Sequence, residues 1–143
     1  MQINEIMTRN VEVISPHTTL KEAALKMREL DVGSLPVCDG ERLKGMLTDR
    51  DITIRATAEG QNPGSTQARD VMTAAIYYCY EDQDVAEAAQ VMEEKQIRRL
   101  PIVSRDKKLV GIVSLGDLAV DTGKERLAGE ALTEISRPAK PTG

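Results

Sequence analysis

The feature that most constrains this chain is an internal repeat. Residues 6–52 align with residues 71–118 once one insertion is placed in the turn formed by residues 39–41 in the first copy and 104–107 in the second. Identical residues then recur in register, among them Met7 with Met72, Met27 with Met92, Pro36 with Pro101, Gly45 with Gly111 and Asp51 with Asp117. Because matching residues at matching spacing specify matching local structure, the two copies are predicted to share one fold.

Each copy has the pattern strand, helix, strand, strand, helix. Val11 and Val13 alternate with polar residues, which predicts a half-buried first strand. Residues 19–22 have the capping-box spacing of a helix start, and residues 84–87 repeat it. Apolar residues at helical spacing follow, so each helix is expected to pack one stripe on a sheet. Two hairpins complete the pattern, one with strands at 35–38 and 43–47 and the other with strands at 100–103 and 109–113.

The repeat also predicts the domain organisation. Residues 1–58 form the first repeat and residues 71–122 the second. Residues 59–70 contain the Gly, Pro and Asn of a connector. Residues 123–143 begin as a helix and end in a polar, proline-containing stretch that is typical of a loose tail.

Composition excludes several classes of protein. The net charge is -4 and only 2% of residues are aromatic, which argues against a nucleic-acid-binding surface. No apolar run is long enough to span a membrane, and the first residues lack the apolar core of a signal peptide, so we expect a cytoplasmic protein. Cys38, Cys79 and the single histidine, His17, lack the spacing of a metal or redox motif, and no metal site is predicted.

Each copy closes with the same short signature. Gly45–Asp51 reads Gly-Met-Leu-Thr-Asp-Arg-Asp, and Gly111–Asp117 reads Gly-Ile-Val-Ser-Leu-Gly-Asp. Together with the Met-Thr start and the Leu-Pro-Val/Ile strand of each copy, these signatures resemble those of CBS domains, which pair into Bateman modules. The resemblance covers residues 5–120. It implies an α/β fold in which two pseudo-symmetric β-α-β-β-α repeats pack sheet to sheet and bind nucleotides in the clefts between them.

The chemistry of the signature supports a ribose site. A Thr or Ser at a strand end and an Asp three residues on, in the first turn of a helix, project to the same side. The carboxylate can then accept hydrogen bonds from two vicinal hydroxyl groups. We therefore expect ribose contacts from Thr48, Asp51, Ser114 and Asp117. The alternative interpretation is that these four residues only cap helices.

The resemblance also implies how each cleft is completed. The cleft that uses Asp51 would include Thr73 and residues 97–99 of the other repeat. The cleft that uses Asp117 would include Thr8 and residues 32–34. Arg98 and Arg99 could pair bidentately with phosphate oxygens, whereas Gly33 and Ser34 offer only weak neutral contacts, so the two clefts should not bind alike. Solvated surface arginines are the alternative interpretation.

The remaining expected contacts are weaker. Arg50 is a third candidate phosphate ligand. The adenine-pocket candidates include both polar and apolar residues, and most of the apolar ones have ordinary core positions as the alternative. They are Thr8, Val11, Val13, Val32, Gly33, Ser34, Thr73, Ile76 and Ile97.

The functional expectation is a non-enzymatic regulatory module. CBS pairs occur inserted in inosine-monophosphate dehydrogenase, but the roughly 250 residues of a catalytic barrel do not fit in a chain of 143. AMP, ADP, ATP or NAD is expected as a regulatory ligand that changes the repeat packing or a dimer surface. The resemblance further implies a homodimer through the helices that follow Asp51 and Asp117, and it allows an unidentified regulated protein. The alternative is a nucleotide-free dimerisation or interaction module with vestigial clefts.

Overall fold

Two compact units make up the fold. A computed structural model of the chain describes residues 1–74, 77–121 and 125–137. The central unit consists of the described residues within Glu12–Ile76 together with Lys107–Leu109. The terminal unit consists of Met1–Val11, Tyr77–Asp106 and the described residues from Val110 onward. The units therefore differ from the repeats predicted at 1–58 and 71–122, because the first eleven residues belong to the unit that contains the second repeat.

The central unit contains a helix, a hairpin and a broken second helix. Helix α1 spans Leu20–Leu30, and strands β1 (Ser34–Asp39) and β2 (Arg42–Thr48) pair antiparallel. Helix α2 (Asp49–Asp51) continues directly into π-helical residues Ile52–Thr57, and the short helix α3 spans Ala68–Val71. The predicted helix and hairpin are thus confirmed, while the predicted connector contains the start of α3.

The terminal unit repeats this plan and adds a helix. Strand β3 (Cys79–Tyr80), helix α4 (Val85–Lys95) and strands β4 (Arg99–Val103) and β5 (Leu109–Ser114) lead to helix α5 (Leu115–Asp121). The strand order is β3-β4-β5, with β3 parallel to β4. Helix α6 (Glu125–Ser136) packs on α4 and α5 and lies within the segment 123–143 that is expected to begin as a helix.

The first helix of each repeat begins and ends as its sequence indicates. Thr19 Oγ1 accepts a hydrogen bond from the Glu22 amide at 3.2 Å and caps α1. Asp84 and Glu87 form the reciprocal capping box of α4. Each helix buries its predicted apolar stripe in the core of its own unit, except for Ala24 of α1, which is exposed. The buried stripe residues are Leu20, Ala23 and Met27 in α1, and Val85, Ala88, Ala89 and Met92 in α4.

The first strand predicted at Val11 and Val13 is wrong. Its place is taken by a single parallel bridge between Ile14 and Val37, with the Ile14 amide bonded to the Pro36 carbonyl at 3.0 Å. Extending this ladder back toward Glu12 requires an amide hydrogen at residue 36, which proline lacks. The equivalent Pro101 has the same effect, because β3 begins at Cys79 and extends forward only.

Each signature glycine makes room for a Met-Thr segment. Thr73 bridges Met46 in the central unit, and Thr8 bridges Ile112 in the terminal unit. A Cβ added at Gly45 would lie 2.7 Å from the Thr73 carbonyl oxygen, and one added at Gly111 would lie 2.7 Å from Met7 Sδ. The Met-Thr segment of each repeat therefore packs on the signature of the other repeat, which explains why the units differ from the repeats.

None of the helices in the described part of the chain is long and apolar enough to cross a membrane.

Candidate functional site

The two signatures adopt the same hydrogen-bonded turn. In the central unit the Thr48 amide donates to Asp51 Oδ2 at 3.0 Å, and the Asp51 amide donates to Thr48 Oγ1 at 3.0 Å. In the terminal unit the Ser114 amide donates to Asp117 Oδ2 at 2.8 Å, and the Asp117 amide donates to Ser114 Oγ at 3.1 Å. Each hydroxyl thus lies at a strand end beside a carboxylate, as expected. The same bonds cap the helix that follows, as the alternative interpretation predicts. A capping carboxylate still has lone pairs for a ligand.

The second carboxylate oxygen has different surroundings in the two units. Asp51 is 7% exposed, and its Oδ1 lies 3.7 Å from Arg55 Nε. Arg55 also donates from Nη1 to the Val71 carbonyl at 3.5 Å. Asp117 is half-buried, and within the described residues its Oδ1 has no such cationic neighbour. The terminal carboxylate is therefore the more available acceptor of the two.

Arg98 and Arg99 lie beside the signature of their own repeat. The Leu115 amide donates to the Arg98 carbonyl at 2.9 Å, which holds the start of β4 against the start of α5. Both arginines and Ser114 line one pocket of about 510 Å³ in the terminal unit. The other described residues of its lining are uncharged, namely Leu115, Gly116, Ala119, Gly129 and Leu132. This pocket combines two cationic side chains with a hydroxyl group, a set that suits a phosphate group.

The same position in the central unit is acidic. The Asp49 amide donates to the Gly33 carbonyl at 2.9 Å, which is the counterpart of the bond between Leu115 and Arg98. A Cβ added at Gly33 would lie 3.1 Å from Asp49 Oδ2. A carboxylate therefore stands where the terminal unit has an apolar side chain next to Arg98. Arg50 follows Asp49, is exposed and donates its amide to Asp49 Oδ1 at 2.8 Å.

The other expected contact residues divide between the two units. Thr73 lies at the central signature and Thr8 at the terminal one, each through a backbone bridge. Val32 packs against the central core and Ile97 against the terminal core, which agrees with the core alternative. Among the remaining candidates, Val11, Val13 and Ser34 are half-buried and Gly33 is exposed. Ile76 lies outside the described residues.

The sequence grouping missed part of the terminal pocket. The family resemblance groups Arg98 and Arg99 with Asp51, and that grouping stays a prediction. The structure brings both arginines to Ser114 through a hydrogen bond between segments 17 residues apart. The contribution of α6, through Gly129 and Leu132, was not anticipated. Its only sequence signal was an apolar residue at 132 next to the buried positions Ala131 and Ile135.

The cysteines and the histidine take no part in this geometry. Cys38 and Cys79 are buried, and desolvation raises the pKa of each thiol from 9.0 to about 11, with the charge of Glu87 adding to the effect at Cys79. Both are therefore protonated at neutral pH and behave as small apolar side chains. His17 is exposed, and its Nδ1 lies 3.4 Å from Gln67 Oε1. In the described residues, no three His, Cys, Asp or Glu side chains are placed so that they could hold a metal ion.

Comparison with known proteins places these features in a family. A model of the CBS domain matches the chain twice, at residues 3–56 and 68–120. The chain belongs to the CBS-domain family. The two matches contain the two signatures, and together with the observed mixed α/β units they confirm the fold class of two CBS repeats.

Relatives of this CBS pair cover almost its whole length. The CBS domain-containing protein YhcV of Bacillus subtilis is 46% identical over 94% of each chain. Hypoxic response protein 1 of Mycobacterium tuberculosis is 45% identical over 80% of each chain. A crystal structure of Hypoxic Response Protein I with two coordinated zinc ions has a TM-score of 0.77 at 43% identity and covers 83% of this chain and 97% of that one. CBSX2 in complex with AMP has a TM-score of 0.74 at 25% identity and covers 87% and 98%.

Proposed function

We propose that this CBS pair is a non-enzymatic regulatory module that binds an adenosine-containing nucleotide, namely AMP, ADP, ATP or NAD. The observation that carries the proposal is the terminal pocket in which Arg98, Arg99 and Ser114 meet. Hydrogen bonds between guanidinium groups and phosphate oxygens are among the stronger polar contacts that proteins make. The AMP complex of CBSX2 supports the adenine nucleotide as the ligand class.

The ribose is proposed to bind at the signature carboxylate. Asp117 uses Oδ2 for the turn, which leaves Oδ1 to accept hydrogen bonds from vicinal hydroxyl groups. Ser114 Oγ lies in the same turn and lines the pocket with the arginines. Thr48 and Asp51 are proposed to act in the same way in the central unit, where the Asp51 carboxylate already has Arg55 as a neighbour. We therefore expect tighter binding at the terminal signature.

Regulation is proposed to act through a homodimer. The helical residues that follow Asp51 expose Ile54, which is 47% accessible and apolar. An exposed apolar side chain on that segment suits a contact with a second copy of the chain. Ligand binding would change the dimer surface, and so the contact with a regulated protein, only to the extent that the nucleotide binds one arrangement more tightly than the other.

Calorimetry with single-site variants tests the proposal. Wild-type protein is titrated with AMP, ADP, ATP, NAD and GTP, and saturable binding of adenosine ligands but not GTP is expected. Arg99→Ala should weaken binding by more than tenfold, because a charge-assisted hydrogen bond contributes about 1.5–3 kcal/mol. Arg42→Ala, at an exposed arginine of β2 in the other unit, is the matched control and should leave affinity unchanged.

Asp117→Asn separates ribose binding from helix capping. The Asn side-chain oxygen can still accept from the Ser114 amide, so the turn and the free energy of unfolding should be nearly retained. Loss of nucleotide affinity without loss of stability would support the ribose contact. Absence of binding by wild-type protein at millimolar nucleotide would contradict the proposal and favour a nucleotide-free dimerisation module.

A further inference from the structure

Helix α6 lies outside the CBS match yet is firmly attached to the terminal unit. The family model ends at residue 120, and α6 spans Glu125–Ser136. Ala131 is fully buried and Ile135 is 9% exposed, and both belong to the terminal core. Gln96 Nε2 donates to the carbonyls of Glu134 at 3.3 Å and Arg137 at 2.7 Å, which satisfies the last turn of the helix. The position of α6 is therefore set by apolar packing and by a side-chain cap.

This attachment places one face of α6 on the arginine pocket. Gly129 and Leu132 are three residues apart, so they lie on the same face of the helix, and both line the pocket with Arg98 and Arg99. A Cβ added at Gly129 would meet no heavy atom within 4 Å. Leu132 is 44% exposed although it is apolar. The glycine leaves space beside an accessible leucine, and the leucine faces a volume of about 510 Å³.

Two carboxylates of α6 do not line the arginine pocket. Glu130 and Glu134 line a different cavity, together with Glu93 and Glu94 of α4. Among the residues that the structure describes, those that line the arginine pocket include no carboxylate. Gly129 and Leu132 add no negative charge near the two guanidinium groups, and an apolar wall lowers the local dielectric constant, which strengthens their attraction for an anion.

We infer that Leu132 of α6 is a ligand-contacting residue of the terminal nucleotide site, and that its lack of charge sets the affinity of the site for phosphate. The inference rests on the proposed nucleotide-binding function and extends the site to a helix outside the family match. A charge introduced at position 132 would then change the affinity for a phosphorylated ligand. A negative charge weakens binding of a phosphorylated ligand and a positive charge strengthens it.

Charge variants at position 132 test the inference. AMP and unphosphorylated adenosine are titrated by calorimetry into wild type, Leu132→Asp, Leu132→Lys and the neutral Leu132→Ala. We expect AMP binding about tenfold weaker in Leu132→Asp and several-fold tighter in Leu132→Lys, while adenosine binds these two variants alike. Both charge effects should shrink as salt is added. Leu25→Asp and Leu25→Lys are the matched controls, because Leu25 is a 43% exposed helical leucine on α1, and they should bind AMP like wild type.

The outcomes separate the inference from the function on which it rests. If wild type binds AMP and the Asp and Lys variants match it within about twofold, Leu132 does not contact the ligand and only the inference is overturned. If wild type binds no adenosine nucleotide, both the proposed function and the inference are overturned. Leu132 is exposed, so all variants should fold, and thermal unfolding without ligand verifies this before titration.

Discussion

The two signatures share one backbone geometry but have opposite surroundings. The turn bonds of Asp51 and Asp117 differ by no more than about 0.2 Å in length. The amide that follows each strand end donates to the equivalent carbonyl, because the Asp49 amide donates to the Gly33 carbonyl and the Leu115 amide to the Arg98 carbonyl, both at 2.9 Å. Around this common frame the terminal unit has arginines and the central unit has a carboxylate. Repetition thus preserves the turn between Thr or Ser and Asp together with the backbone bond beside it, while substitution of the flanking residues changes the charge around them.

The largest expected effect compares the two signature glycines. Gly45→Ala should destabilise the protein by about 2–3 kcal/mol, because its Cβ would lie 2.7 Å from a backbone oxygen that cannot move alone. Gly111→Ala should cost somewhat less, about 2 kcal/mol, because the backbone oxygen near its Cβ, that of Thr8, would lie at 2.9 Å, and the atom at 2.7 Å is the Sδ of the flexible Met7. Urea unfolding measures both. Equal losses would show that the two Met-Thr contacts are equally rigid and would remove this difference between the units.

A smaller effect is expected when the terminal surroundings are transferred to the central unit. The double variant Gly33→Arg, Asp49→Leu copies Arg98 and Leu115, and Asp49→Leu also removes the carboxylate that would crowd a side chain at position 33. We expect a gain of about tenfold in AMP affinity at the central signature, seen in calorimetry as a rise in stoichiometry. The uncharged pair Gly33→Leu, Asp49→Leu is the control. A gain in the control as well would mean that shape rather than charge distinguishes the units.

The smallest expected effect concerns the acidic cavity between α4 and α6. Desolvation raises the pKa of Glu93, and the charges of Glu130, Glu134 and Glu94 raise it further, while Arg137 pairs with Glu134 at 3.1 Å. Since the folded state then holds the proton more tightly than the unfolded chain, the stability from this group is present below the ordinary pKa of 4.5. It is lost as the pH rises through the higher folded value. The repeat places Arg28 of α1 at the position equivalent to Glu93, so the central unit lacks this source of pH dependence.

Glu93→Gln should therefore raise the free energy of unfolding at pH 7 by about 0.5 kcal/mol, with the gain vanishing below pH 4.5. Urea unfolding across this pH range measures the difference. A gain of the same size at every pH would assign it to hydrogen bonding or helix propensity instead of charge. Arg28→Gln is the control on the other unit and should show no such pH profile.

Much of the local structure follows from sequence because its causes are local. The caps at Thr19 and Asp84 and the turns at Asp51 and Asp117 each depend on residues three apart, and all four form as their spacing indicates. The first strand was missed for a reason that is also in the sequence. The alternation at Val11 and Val13 predicts a strand there. Pro36 lacks the amide hydrogen that would bond to Glu12, so the parallel pairing is limited to Ile14.

The sequence by itself determined that the chain contains two equal folds, where their helices and hairpins lie, and which Thr, Ser and Asp residues share a turn. Only the tertiary structure decided which Met-Thr segment packs on which glycine. Because the two repeats are alike, a Met-Thr segment could make the same local contacts with the glycine of its own repeat or with that of the other repeat. Tertiary packing likewise brought Arg98 and Arg99 to Ser114 and placed Leu132 on their pocket. Those distances depend on how β4, α5 and α6 bury a common core, which no spacing along the chain can specify.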